Sequence, residues 1–208
     1  MKGVIFSLCI LTFSFCTKIS NAPQKIGIQV LGDFEEELLD SISVSLQRNY
    51  PFEIIILPKQ SLPKHTFINL KSPRYRADSL LYFLLKIKPD SIQYIIGLTN
   101  KDISTTKRNK DGKIKEPSYK YQDWGIFGLG FTPGKSCVIS SYRAKISNKK
   151  LFHNRILKIC THEFGHNLGL HHCKSSKCVM QDAAETVKTI DLVENELCEK
   201  CKNQISHK

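Results

Sequence analysis

Along the first hundred residues, short apolar runs alternate with stretches whose apolar positions recur every three or four residues. Lys25 to Leu31 (KIGIQVL) reads as a strand. From Asp33 to Asn49 the apolar residues Leu38, Leu39, Ile42 and Leu46 keep one helical face. Asp33 is the expected N-cap, and Glu35 to Glu37 lie near the positive helix end. Phe52 to Leu57 (FEIIIL) predicts a second strand, closed by Pro58, and the proline-bearing residues 58–77 predict a loop. Ala77 to Lys88 predicts a helix stopped by Pro89, and Ile92 to Leu98 a third strand. This alternation implies an α/β fold, a sheet covered by helices.

The second half reads differently. Thr99 to Tyr121 is long and polar, with Lys107, Arg108, Lys110, Lys113 and Lys115, and is expected as a solvated loop. Trp124 to Phe131 and Ser136 to Tyr142 predict two strands joined by a TPGK turn. Three glycines in the first of them predict a bent strand or a close backbone approach. Leu151 to Leu170 predicts a long helix, and about Thr189 to Gln204 a terminal one. At the other end, Lys2 precedes an apolar run from Val4 to Phe15 that is too short to span a membrane and suits a secretory leader. Ser20-Asn21-Ala22 resembles a cleavage site, and Cys16 offers an alternative lipid-attachment point. The expected organisation is a leader over residues 1–22 and one domain over 23–208, exported to the periplasm, the exterior or a lipid anchor rather than cytoplasmic. At 208 residues with 41% apolar content, the chain has enough material for one real core.

The chemistry concentrates between Cys160 and Cys178 (CTHEFGHNLGLHHCKSSKC). His162 and His166, four apart on a helix, share one face and can grip one ion as neutral imidazoles. Glu163 sits one residue round, beside the metal, where it can take a proton from a metal-activated water. His172 would lie about 15 Å from His162 on an unbroken helix, so it joins the same ion only if the chain turns back. Gly169 permits that exit, because a helix often ends on a left-handed residue. The string HExxHxxGxxH with a downstream Met is the metzincin signature. His171 is a rival third ligand that the offset disfavours; it is expected beside the site or facing solvent.

Eight cysteines occur. Cys9 and Cys16 fall in the leader, while Cys137 and Cys160 are isolated and read as buried thiols. Cys173, Cys178, Cys198 and Cys201 are paired at short spacings, which suits a tetrahedral Cys₄ zinc site. Disulfides are the competing reading in an exported chain.

From His162 to Cys201 the sequence resembles the archaemetzincins, a family of metzincin zinc metalloproteases. Their pattern is HExxHxxGxxHC, four residues, Cys, one residue, Met, seventeen residues and CxxC, and Cys173, Cys178, Met180, Cys198 and Cys201 fall on it. The resemblance implies a compact metzincin-like α/β domain with a twisted mixed sheet. It implies His162, His166 and His172 on a catalytic zinc, Glu163 as general base and Met180 beneath the metal. The four cysteines would hold a second, structural zinc, giving two ions per chain. Peptidase activity on short peptides follows from the same resemblance. The leader and the basic stretch from Lys107 to Lys115 are not part of that pattern.

The formal net charge of +12 attracts acidic peptides or anionic surfaces. No stacking motif or recognition helix accompanies it, so nucleic acid is not an expected partner. A monomer acting on peptides is expected, with membrane anchoring only through the N-terminus. The alternative, a zinc protein that uses the fold to bind without cleaving, leaves Glu163 without a purpose. Tyr121 and Tyr142 are both open as stabilisers of the oxyanion.

Overall fold

The computed structural model describes residues 23–182 and 186–206. The leader read in residues 1–22, with Cys9 and Cys16, lies outside them. The elements run β1 (Lys25–Leu31), α1 (Glu36–Asn49), β2 (Glu53–Gln60), β3 (Phe67–Asn69), β4 (Pro73–Arg76), α2 (Ala77–Ile87), β5 (Tyr94–Thr99) and β6 (Ile103–Thr105). They continue with α3 (Ser118–Tyr121), β7 (Trp124–Ile126), β8 (Gly128–Gly130), β9 (Ser136–Ser140), α4 (Lys149–Asn167), α5 (Val187–Leu192) and α6 (Glu199–Ile205). Among the described residues no helix is long and apolar enough to cross a membrane.

Five strands form the main sheet in the order β2-β1-β5-β9-β8. The first four are mutually parallel, and β8 closes the edge antiparallel to β9. Strand periodicity sends alternate residues to opposite faces. Ile96 and Leu98 of β5 meet α1 and α4 in the larger core, while Ile95 meets Leu80, Leu81 and Leu84 of α2 on the other side. The result is the expected α/β architecture with a mixed sheet. A second sheet, β3-β4-β6-β7, touches α2 through β4 and β6.

Several boundaries depart from the sequence reading. Strand β2 passes through Pro58 to Gln60, because it is the sheet's outer strand and its register shifts between Gln29 and Leu31. A proline there removes no interior ladder bond. Asp33 does not cap α1; its carboxylate pairs with Lys59 Nζ at 2.6 Å, and Glu35 takes the cap position without a side-chain bond. The expected loop over 58–77 contains β3 and β4, and that over 99–121 contains β6 and α3. Trp124 to Phe131 divides into β7 and β8, which join different sheets. The long helix starts earlier and ends earlier than expected, with the Asn148 side chain accepting from the Leu151 N–H at 3.0 Å.

The terminal helix is two short helices. Between them the chain binds an earlier turn segment: Val179 N–H donates to the Glu196 carbonyl at 3.0 Å and Glu194 N–H to the Lys177 carbonyl at 2.9 Å. Those long-range bonds replace the helical ones that the local pattern favours.

Candidate active site and metal centres

Helix α4 presents His162 and His166 one turn apart and ends as its sequence requires. Gly169 has φ +84°, the left-handed region. Its N–H donates to the His166 carbonyl at 2.8 Å, and Leu170 N–H donates to the Gly165 carbonyl at 3.0 Å. This pair of bonds is a Schellman cap, which reverses the chain and brings His172 back. The rings of His162 and His172 lie 5.3 Å apart, and those of His166 and His172 5.1 Å. One donor atom from each of the three residues falls within 4.8 Å of the others.

Two backbone carbonyls orient the helical pair. His162 Nδ1 lies 2.8 Å from the Val179 carbonyl and His166 Nδ1 2.7 Å from that of Leu170. Only an N–H can bond a carbonyl, so each Nδ1 carries the proton and each Nε2 is a bare lone pair. The two Nε2 atoms face each other at 3.1 Å, an arrangement that repels unless a cation stands between them. Burial, then the charge of His166, pushes the His162 imidazole down to about 3, and burial lowers His166 as well. Both are therefore neutral near pH 7, the state in which imidazole ligates a metal. His172 Nδ1 is 3.4 Å from Asp182 Oδ2.

Glu163 occupies the floor between α4 and β8. Desolvation pushes its carboxyl up to about 8. A Cβ on Gly128 would stand 2.6 Å from Glu163 Cγ, and one on Gly130 would stand 2.7 Å from the Glu163 carbonyl oxygen. The glycines of this strand thus allow the close approach that their number predicts. The cleft above holds about 370 Å³ and is bounded by β8, by α4, by Val179 to Asp182, and by Ile190 and Val193 of the α5 region. Neither tyrosine considered for the oxyanion lines it. Tyr142 is exposed, and Tyr121 stacks on Trp124 at 5.3 Å. The side-chain donors on the wall are Lys107, Thr132, Lys158 and Gln181.

Three residues that support this site carry no signature in the sequence. Gly165 lies in the last turn of α4, where glycine is still less favourable than alanine. A Cβ there would stand 2.5 Å from Met180 Sδ and 3.2 Å from Tyr50 Oη. Met180 is fully buried in the larger core, with its sulfur against Gly165 of the histidines' helix. Tyr50 donates to the Thr161 carbonyl at 2.7 Å. Asn167, buried, donates to the carbonyls of Phe131 and Ser136 at 3.0 and 2.8 Å and so ties the end of α4 to the β8–β9 hairpin. The CTHEFGHN string held the positions of Gly165 and Asn167, but their partners are distant in sequence.

The second cluster contains Cys173, Cys178, Cys198 and Cys201, whose sulfurs all lie within 4.8 Å of one another. Cys173 and Cys198 sulfurs are 3.8 Å apart, and those of Cys178 and Cys201 3.7 Å. A tetrahedron with Zn–S bonds of about 2.3 Å has edges of about 3.8 Å, so the spacing fits one zinc. None of the described cysteines is bridged, and the sulfurs stand too far apart for the alternative of disulfides. Cys137 and Cys160 are buried thiols, as expected, and burial raises both. His171 is exposed and belongs to neither cluster.

The basic stretch is not a loose loop. Lys107 N–H donates to the Tyr121 carbonyl at 2.9 Å and Lys115 N–H to the Lys107 carbonyl at 3.0 Å, so residues 107–115 form a hairpin-like projection.

Comparison with known proteins agrees with this geometry. The profile of peptidase family M54 matches residues 26–207. The archaemetzincin of Haloquadratum walsbyi is 30% identical over 185 residues, covering 85% of this chain and 96% of its own. That of Saccharolobus solfataricus is 30% identical over 187 residues, covering 87% and 92%. Among solved structures, archaemetzincin from Methanopyrus kandleri superposes with a TM-score of 0.74 at 22% identity, covering 90% of this chain and 96% of its own. Archaemetzincin from Archaeoglobus fulgidus, crystallised with malonate, gives 0.69 at 24% identity, covering 88% and 100%. These structures share the fold, and the sequence match settles the rest: the chain belongs to peptidase family M54 and is a zinc metallopeptidase.

Proposed function

We propose that this cleft hydrolyses peptide bonds with His162, His166 and His172 holding the catalytic zinc and Glu163 acting as general base. The observation that carries the reading is the convergence of three imidazoles beside a half-buried carboxylate on an open cleft. Bound zinc supplies Lewis acidity, polarising the scissile carbonyl and bringing the pKa of a coordinated water to about 7. Glu163 takes the proton of the attacking water and returns it to the leaving amine. The Val179 and Leu170 carbonyls keep His162 and His166 in the ligating tautomer. Strand β8 is a free sheet edge, able to pair with an extended substrate, and the small cleft suits short peptides. Cys173, Cys178, Cys198 and Cys201 hold a second zinc whose four thiolates leave no open position, so its role is structural. We further propose that the protein acts as a monomer and is exported by its leader, either cleaved after Ala22 or anchored by a lipid on Cys16.

The test is Glu163→Ala. The variant should keep its zinc and lose peptide hydrolysis by a factor of about 10² or more. A variant that cleaves at the wild-type rate removes Glu163 from the mechanism.

A further inference from the structure

The projection and the short helix α3 after it carry six cations, Lys107, Arg108, Lys110, Lys113, Lys115 and Lys120, against only Asp111 and Glu116. Its shape is fixed from within. Asn109 Oδ1 accepts the N–H of Asp111 at 3.1 Å and that of Lys113 at 2.9 Å, and Arg108 Nη1 donates to the Gly112 carbonyl at 2.8 Å. Its base is clamped by the Tyr121–Trp124 stack, with Lys107 Nζ 4.2 Å from the Trp124 ring and Lys120 Nζ 5.1 Å from that of Tyr121. Lys71 Nζ adds a further charge there, donating to the Lys120 carbonyl at 2.7 Å.

This built array meets the cleft. Lys107 lines the cleft wall together with Ile126 and Phe127, which continue from the Trp124 strand. Arg108, Lys110, Lys113 and Lys115 are exposed next to it in the chain. Among the described residues the anions on the wall are Glu163 and Asp182, and Asp182 faces His172. Charges of one sign held around a low-dielectric cleft focus their field into it and concentrate ligands of opposite sign.

We propose that this hairpin is a specificity wall that selects peptides carrying an aspartate or glutamate side chain on the Lys107 side of the cleft. The inference rests on the peptidase reading of that cleft and deepens it by naming the substrate class. Basic peptides are disfavoured by the same field.

Peptides differing only by Glu, Gln or Lys at each position test it in two ways. Cleavage is followed with the zinc-loaded full chain, and binding by fluorescence anisotropy with the Glu163→Gln variant, which separates recognition from turnover. At low ionic strength the Glu peptide should bind on the order of fivefold tighter than its Gln twin, and high salt should erase the difference. Lys110→Gln, Lys113→Gln and Lys115→Gln combined should remove most of that preference. Lys86→Gln, Lys145→Gln and Lys150→Gln, an equal loss of charge at exposed sites elsewhere, should retain it. Equal binding of the Glu and Gln peptides overturns the proposal, as does an equal loss of preference in the two triple variants. Preferential binding of the Glu peptide with no cleavage of any peptide by the wild type upholds the wall and overturns the peptidase reading instead.

Discussion

Gly165→Ala should destabilise this protein, against the usual rule. In the interior of a helix, alanine is normally better than glycine by roughly 0.5–1 kcal/mol. Here the added methyl would stand 2.5 Å from Met180 Sδ, well inside the separation of about 3.5 Å at which heavy atoms pack. Met180 is fully buried and has no solvent to move into. Overpacking of this kind costs about 1–3 kcal/mol, so the net loss should be about 0.5–2 kcal/mol. For a chain of this size that lowers Tm by roughly 1–8 °C. Met180→Ala alone should cost about 2–5 kcal/mol through its cavity. In the Met180→Ala background the contact with Met180 is gone and only the 3.2 Å contact with Tyr50 Oη remains, so Gly165→Ala should cost much less there. The double-mutant cycle should therefore show a coupling of roughly 1–3 kcal/mol. Urea and thermal unfolding at saturating zinc measure all four proteins under one metal condition. A Gly165→Ala variant as stable as wild type, or an additive cycle, would refute the packing argument.

Metal analysis of the purified protein should return two zinc ions per chain, and Cys198→Ser should lower thermal stability sharply while any active fraction keeps a similar turnover. One zinc with oxidised cysteines, or unfolding by mild reductant without chelator, would refute that assignment. Deleting residues 1–22 should retain the protein in the cytoplasm, and Cys16→Ser should release it from membranes if that cysteine carries a lipid. Full-length protein fractionating with the cytosol, its N-terminus intact, would defeat the export proposal.

What could be read from the sequence was whatever the local chain decides by itself. Strand β1 has the bounds that its apolar run suggested, and α1 and α2 follow their stripes. The histidine spacing and Gly169 are also local, because a helical turn and a left-handed exit need no distant partner. The small sheet was hidden because β3, β6 and β7 have three residues each, too few to display an alternation. The break between α5 and α6 was hidden for the opposite reason. Helical periodicity continues through the break, yet Glu194 and Glu196 bond to Lys177 and Val179. Gly165 looked like an ordinary helical residue until Met180 stood against it. Lys107 looked solvated because nothing local to it says that residues 126–130 and 158–163 lie opposite.

The two clusters are best understood as one mechanical unit. His162 and His166 ride on a helix whose position is fixed by Tyr50 at Thr161 and by Asn167 at the β8–β9 hairpin. His172 has no such support from regular structure, since it lies in the turn after Gly169. Its neighbour Cys173 supplies the support twice. The Cys173 backbone N–H donates to the Met180 carbonyl at 2.8 Å, closing the loop onto the segment that packs against Gly165. Its sulfur belongs to the cluster shared with Cys198 and Cys201, which lie at the start of α6. That same segment carries Val179, whose carbonyl orients His162 and whose N–H binds Glu196. Release of the cysteine cluster should thus loosen His172 first and disturb His162 through Val179, leaving His166, whose carbonyl partner Leu170 belongs to the helix cap, least affected. The histidine geometry is therefore set by the helix on one side and by the cysteine cluster on the other.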